Sequence, residues 1–190
     1  PHIFQVRAID NAGNSDVTPA SYNWSVDITA PSATLGPVTP DLRNSGVSSI
    51  AIGFNKAVTG LDLSDLTLTR NGVAVALTKA SISGSGVNYT LSGLTNLTNL
   101  AGVYMLTLHA STAGIKDAVG NPLTNDASVS FVVDTVLPLA DIIDVTPDPR
   151  NSLVTTIVIS FTEAVIGVDL SDFSLTRNGT DVPLTGVIVT

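Results

Sequence analysis

The chain has 190 residues, with 16 acidic against 8 basic side chains, a net charge of −8 and no cysteine. An acidic surface repels phosphate backbones and anionic bilayers, so no nucleic-acid partner is expected. The missing thiols remove disulfides, thiolate nucleophiles and Cys-based zinc sites. Hydrophobic residues make up 44% but aromatics only 5%; the core must therefore be aliphatic, and Val, Ile and Thr favour strands.

Along the chain, short alternating segments are separated by turn residues. Phe4 to Ile9 reads as a strand, followed by the loop Asp10-Asn11-Ala12-Gly13-Asn14 and a last strand ending in Trp24-Ser25-Val26-Asp27. Ile50, Ile52 and Phe54 alternate with small or polar neighbours, as do Leu66 and Leu68, then Val87, Tyr89 and Leu91. Tyr104, Leu106, Leu108 and Ala110 form another series, and Phe131 and Val133 the next. Period two of this kind marks half-buried strands. Arg70-Asn71-Gly72-Val73 predicts a two-residue hairpin, because Asn-Gly supplies positive φ at both turn positions. Gly84-Ser85-Gly86 is expected to be a second hairpin turn. Leu94, Leu97 and Leu100 fit either one helical turn or a packed loop. No run reaches the roughly 18 apolar residues of a membrane span, so no membrane insertion is expected in this segment.

The chain repeats itself with a period of 107 residues. Val38-Thr39-Pro40-Asp41 returns as Val145-Thr146-Pro147-Asp148, and Asp62-Leu63-Ser64-Asp65 returns as Asp169-Leu170-Ser171-Asp172. From Val38 to Ser83, 26 of 46 positions are identical 107 residues later. A period that long is a whole domain rather than a solenoid unit. The reading is a window on a tandem array: residues 1–30 are the closing strands and linker of one repeat, 31–136 a complete repeat, and 137–190 the front half of a third. Strands of this length with turns between them indicate antiparallel β-sandwiches. The prolines Pro31 and Pro138 end one sheet and stiffen the passage to the next, which predicts a rod with limited swing.

The strand, the Asp-x-x-Gly-Asn loop, the final strand ending in Val26-Asp27 and the linker Thr29-Ala30-Pro31 resemble the closing part of bacterial Ig-like repeats. The middle repeat carries the pattern as Asp117-Ala118-Val119-Gly120-Asn121 and Val133-Asp134, but its linker has Val136-Leu137 in place of Thr-Ala. The resemblance implies an all-β fold of tandem Ig-like antiparallel sandwiches, one complete and two partial. It also implies an extracellular, cell-surface setting in a stalk or adhesin, with neighbouring repeats as partners and, in some members, Ca²⁺ at domain junctions.

On that topology Asp27 should approach the Asp117 to Asn121 loop and the loop holding Asp62 and Asp65. Asp134 should meet Glu163, Asp169 and Asp172 in the same way. Carboxylate and amide oxygens suit Ca²⁺, which takes six to eight such ligands. The candidate metal ligands are therefore Asp27, Asp62, Asp65, Asp117, Asn121, Asp134, Asp169 and Asp172. Each also has a plainer reading. Asp in Asp-x-x-Gly-Asn can cap its own turn, Asp62 and Asp65 can be solvated turn acids, and Lys56 and Lys116 can form ordinary ion pairs with these acids.

No enzyme is expected. His109 alternates with Leu108 and Ala110 and belongs on an outer sheet face, and no Gly-x-Ser-x-Gly elbow occurs. Trp24 aligns with Phe131 and is expected in the core rather than as a sugar-stacking platform. The expected function is a structural spacer, with adhesion to a host or surface glycan or protein as a possible extension. The alternatives are an accessory region of a large secreted enzyme and a carbohydrate- or protein-binding module.

Overall fold

The computed structural model describes residues 1–111 and 114–190. The fold is all-β and every strand pair is antiparallel. The chain forms two compact units, Pro1–Thr135 and Val136–Thr190. In the first lie β1 (His2–Val6), β2 (Ala20–Trp24), β3 (Ala33–Leu35), β4 (Ser49–Thr59), β5 (Leu66–Arg70), β6 (Val73–Val75), β7 (Ser81–Ser92), β8 (Gly102–Leu108), β9 (Lys116–Asp117) and β10 (Ala127–Val133). In the second lie β11 (Ala140–Ile142), β12 (Ile159–Phe161), β13 (Thr176–Arg177) and β14 (Thr180–Asp181).

One sheet of the first unit runs β10-β8-β5-β6 and another runs β3-β4-β7, with β9 paired to the end of β4. The alternation explains their packing. Ile50, Ile52 and Phe54 from β4 and Leu91 from β7 are buried against Leu66 and Leu68 of β5, Tyr104, Leu106 and Leu108 of β8, and Phe131 and Val133 of β10. Tyr104 and Phe131 stack at 5.3 Å between ring centroids. Removing each such side chain from water contributes about 1.5–3 kcal/mol.

The Asn-Gly turn forms as expected. Arg70 pairs with Val73, and φ is 50° at Asn71 and 80° at Gly72. Gly84-Ser85-Gly86 is not a turn but lies inside β7. The pairing of β4 with β7 slips between Gly53 and Val58, and Gly86 stands opposite Val58. Gly84 has φ 113°, and a Cβ there would meet the Asn88 carbonyl oxygen at 2.3 Å. Glycine allows β7 to bend past this irregularity and continue. Leu94 is fully buried before a short 3-10 turn at Thr95–Leu97, whereas Leu100 is exposed.

The hairpin β1–β2 keeps its own register, His2 opposite Trp24 through Val6 opposite Ala20. Both strands are exposed throughout. Trp24 is therefore not a core residue here: it is 41% exposed and stacks with His2 and Tyr22. Its counterpart Phe131 is 1% exposed, because β8 and the facing sheet cover it. Among the described residues β1 and β2 pair only with each other.

The second unit repeats the local geometry of the first at the same offset. Ala140 faces Phe161 as Ala33 faces Phe54, and Arg177 faces Thr180 as Arg70 faces Val73. Asn178 and Gly179 again take positive φ. The 3-10 turn Leu170–Asp172 repeats Leu63–Asp65. Most apolar side chains of this unit are exposed.

Candidate functional site

The apolar period of β4 runs Ile50, Ile52, Phe54 and then reaches Lys56 before Val58 resumes it. Lys56 thus occupies an inward-facing position where β9 succeeds β3 along one edge of β4, while β7 stays paired along the other. A lysine there lays its methylenes along the core and carries the ammonium to the rim. The rim is built by Asp27 and Thr29, from the segment after β2, and by Asp117 of β9.

Lys56 Nζ lies 2.8 Å from Asp27 Oδ2, 3.0 Å from Asp27 Oδ1 and 3.2 Å from Asp117 Oδ2. It also donates to the Thr29 carbonyl at 2.6 Å and approaches Thr29 Oγ1 at 2.7 Å. Asn121 completes the cluster: its Nδ2 donates to the Asp27 carbonyl at 3.1 Å and to Asp117 Oδ2 at 3.0 Å. Next along the chain, Ser32 N–H donates to Asn55 Oδ1 at 2.8 Å. The segment from Asp27 to Ser32 is thereby fastened to β4 and to the loop after β9.

The charges follow from these contacts. The Lys56 ammonium, with help from Thr29, holds the Asp27 carboxyl far below the usual carboxylate range. The Asp27 carboxylate in turn raises the Lys56 ammonium above its ordinary value, against some desolvation and with help from Asp117. Burial pushes the Asp117 carboxyl up, but donors from Asn121, Lys56 and Val119 outweigh it, and the net direction is down.

Three of the acids and amides expected to converge do so: Asp27, Asp117 and Asn121. They gather on an ammonium. With a lysine nitrogen within 3.2 Å of both carboxylates, this donor set does not fit a divalent cation while Lys56 is seated. Asp62 and Asp65 are committed locally. Asp62 Oδ1 accepts from Ser64 N–H at 2.7 Å; the Asp62 side chain also takes the Asp65 N–H while Asp65 Oδ2 accepts from Asp62 N–H at 2.8 Å, a reciprocal capping box. Asp65 is buried, and that burial raises its carboxyl. Asp169 and Asp172 form the same box. The Asp134 N–H donates to the Arg43 carbonyl at 2.8 Å. Among the described residues no three carboxylate or imidazole side chains are placed to hold a metal ion.

The Asp-x-x-Gly-Asn loops cap themselves. Asp117 Oδ1 accepts from the N–H groups of Val119 and Asn121. Asp10 Oδ1 does the same for Ala12 and Asn14. The position equivalent to Lys56 in the second unit is Glu163, whose Oε1 is buried without a hydrogen-bond partner among the described residues. The charge at this position is reversed, so the lysine-centred cluster has no copy there.

A second polar group escaped the sequence reading. His109 Nε2 is 2.8 Å from Thr67 Oγ1, and His109 Nδ1 is 3.2 Å from Asp126 Oδ2. The order hydroxyl, imidazole, carboxylate matches that of an acyl-transfer triad, but Asp126 is also bonded to the Ala110 N–H at 2.8 Å. The group straps β5 and the end of β8 to the loop before β10. Asp126 is seventeen residues from His109, a spacing with no sequence signature. A cavity of about 300 Å³ lies elsewhere, lined by Arg70, Val73, Asn96, Leu97, Leu100 and Tyr104.

No family model and no curated protein matches the chain. Among solved structures it is similar to one described as titin kinase and its flanking domains, at 11% identity and a TM-score of 0.28. The match covers 61% of this chain and 18% of that one.

Proposed function

We propose that the chain is part of a tandem array of Ig-like sandwiches that serves as a structural spacer in a bacterial extracellular or cell-surface protein. The observation that carries this reading is the 107-residue repeat, together with strand register and capping boxes reproduced at the same offset in both units. A polypeptide that repeats a whole domain gains reach and stiffness rather than a new active centre. The fastening of residues 27–32 onto β4 supports the stiffness: an array whose linkers are held by ion pairs and hydrogen bonds swings less than one joined by free coil.

The mechanism is passive. Each sandwich buries an aliphatic core, proline limits the backbone of the linker, and Lys56 with Asn121 secures its start. Domain division at residues 30 and 136 belongs to this same reading. Antibody raised against residues 31–136 should label intact, unpermeabilised cells of the producing organism. Labelling only after lysis would remove the surface assignment. A catalytic domain encoded in the same polypeptide would favour the accessory-region reading instead.

A further inference from the structure

The strand β6 ends the sheet β10-β8-β5-β6, and among the described residues it pairs with β5 alone. Arg70 faces Val73 across the two-residue turn, and Leu68 faces Val75. Those two pairs exchange the hydrogen bonds of the hairpin, so Ala74 between them turns its N–H and C=O outward. The edge reads Val73-Ala74-Val75-Ala76-Leu77, and no ionisable side chain stands between Arg70 and Lys79. Val73 is 71% exposed. Natural edge strands block further pairing with a charge or a proline. The second unit does so at this very edge: at the 107-residue offset Asp181 stands for Ala74 and Pro183 for Ala76. The hairpin itself is alike in both, Arg177 facing Thr180 as Arg70 faces Val73. The edge of β6 is thus unguarded where its counterpart is guarded twice. Beside it lies the cavity of about 300 Å³, with Val73, Val75, Leu97 and Leu100 on its walls. Val73 and Val75 share one face of the hairpin with Leu68, the face turned to the core. A strand added to β6 therefore lays its own inward side chains over the mouth of the cavity.

We propose that the occupant of this edge is β6 of a second copy of this chain, paired antiparallel about a two-fold axis at Ala74. The edge asks for an uncharged extended segment with free main-chain groups and apolar side chains on one face. β6 is itself such a segment, and an antiparallel pair of identical strands is self-complementary. In this register the Ala74 N–H of each copy donates to the Ala74 carbonyl of the other. Val73 of one copy faces Val75 of the other, and no like charges stand opposite each other within the strand. The sheet β10-β8-β5-β6 continues into its copy as one eight-stranded sheet. Two effects drive the pairing: main-chain hydrogen bonding at an open edge, and removal of Val73, Leu97 and Leu100 from water. The interface lies wholly within the first unit and is independent of the spacer reading.

Two measurements test it. Ala74→Asp with Ala76→Pro gives β6 the residues of the guarded edge. Light scattering from micromolar to near-millimolar concentration should show the parent rising from 19.5 kDa to at least twice that value, and the double variant associating far less. A parent that stays monomeric, or a folded variant that associates as readily as the parent, would overturn the proposal. The register is tested separately by a disulfide. The chain has no cysteine of its own, so any bridge in a single-cysteine variant joins two molecules. Ala74→Cys sets two thiols across the axis with Cα atoms about 5.5 Å apart, within disulfide reach. Ser130→Cys, exposed on β10 at the far edge of the same sheet, is the control. Under mild oxidation Ala74→Cys should cross-link at least about ten-fold faster than Ser130→Cys. Equal rates would sink the assignment, whatever the double variant does.

Discussion

Lys56 and Asp27 are 29 positions apart in the chain and meet at 2.8 Å between Nζ and Oδ2. The pair fixes where the polypeptide leaves β2 and approaches β3. Lys56→Met keeps the methylene stem in its inward position and deletes the ammonium, which leaves the buried Asp117 carboxylate without its cation. The variant should melt a few degrees below the parent. Its amide exchange at Thr29 and Ser32 should speed by about an order of magnitude. Identical exchange in the two proteins would mean that the cluster fastens nothing.

The same substitution tests the relation between this cluster and Ca²⁺. With Lys56 in place, two carboxylates already share a positive group, and millimolar Ca²⁺ should leave the melt of the unsubstituted chain unchanged. In Lys56→Met, Asp27 and Asp117 face each other with no cation and Asn121 beside them. Ca²⁺ should then raise the melting temperature, since any ligand bound only by the folded state stabilises it. A Ca²⁺-dependent rise in the unsubstituted chain, lost in Asp27→Asn, would show that the ammonium gives way to the metal.

The pH profile has a definite sign. Asp27 and Asp117 have folded values below their ordinary 3.8, so their stabilisation is complete above that pH and lost as the pH falls through the lowered folded values. Lys56 is raised above 10.5, so its share is present below that pH and lost only as the pH climbs through the folded value. Asp65 runs the other way: burial raises it above 3.8, so its ionisation costs stability as the pH rises through the raised value. Melting temperature should be flat across neutrality and fall below about pH 4. In Lys56→Met the acid fall should be shallower, because Asp27 loses the contact that most lowers it.

Much of the fold was legible because strands with period two leave a direct trace. The inward sets Ile50, Ile52, Phe54 and Tyr104, Leu106, Leu108 could be read from alternation alone, and the Asn71-Gly72 turn from its need for positive φ. What failed depended on partners distant in sequence. Gly84 and Gly86 look like a turn, and only the slip of β4 against β7 shows why a continuing strand needs them. Trp24 has core spacing, but burial requires a covering layer, and none of the described residues supplies it to β1–β2. The convergence of Asp27, Asp117 and Asn121 followed from repeat topology. The group at its centre was signalled only by a charged residue interrupting the apolar period of β4.

Thr98 offers a test of a buried hydroxyl held by two residues, Val47 and Leu94. It is fully buried, its Oγ1 accepts from the Val47 N–H at 2.8 Å, and it donates to the Leu94 carbonyl at 3.0 Å. Thr98→Val fills the same volume and strands the Val47 N–H in the core. The cost should be about 1–3 kcal/mol, the penalty for a buried donor without an acceptor. Thr98→Ser keeps the hydroxyl and should lose less. Equal loss in the two variants would assign the effect to packing rather than to the hydrogen bond.

Leu106 and Phe4 hold equivalent places in their repeats, one at 0% and the other at 62% exposure. Leu106→Ala should cost about 2–5 kcal/mol at any protein concentration, because the cavity lies inside a closed core. Phe4→Ala should change the melt of the dilute chain by no more than about 0.5 kcal/mol, as expected of an exposed site. A loss in Phe4→Ala as large as that in Leu106→Ala would mean that the hairpin face is covered as the core of the complete repeat is.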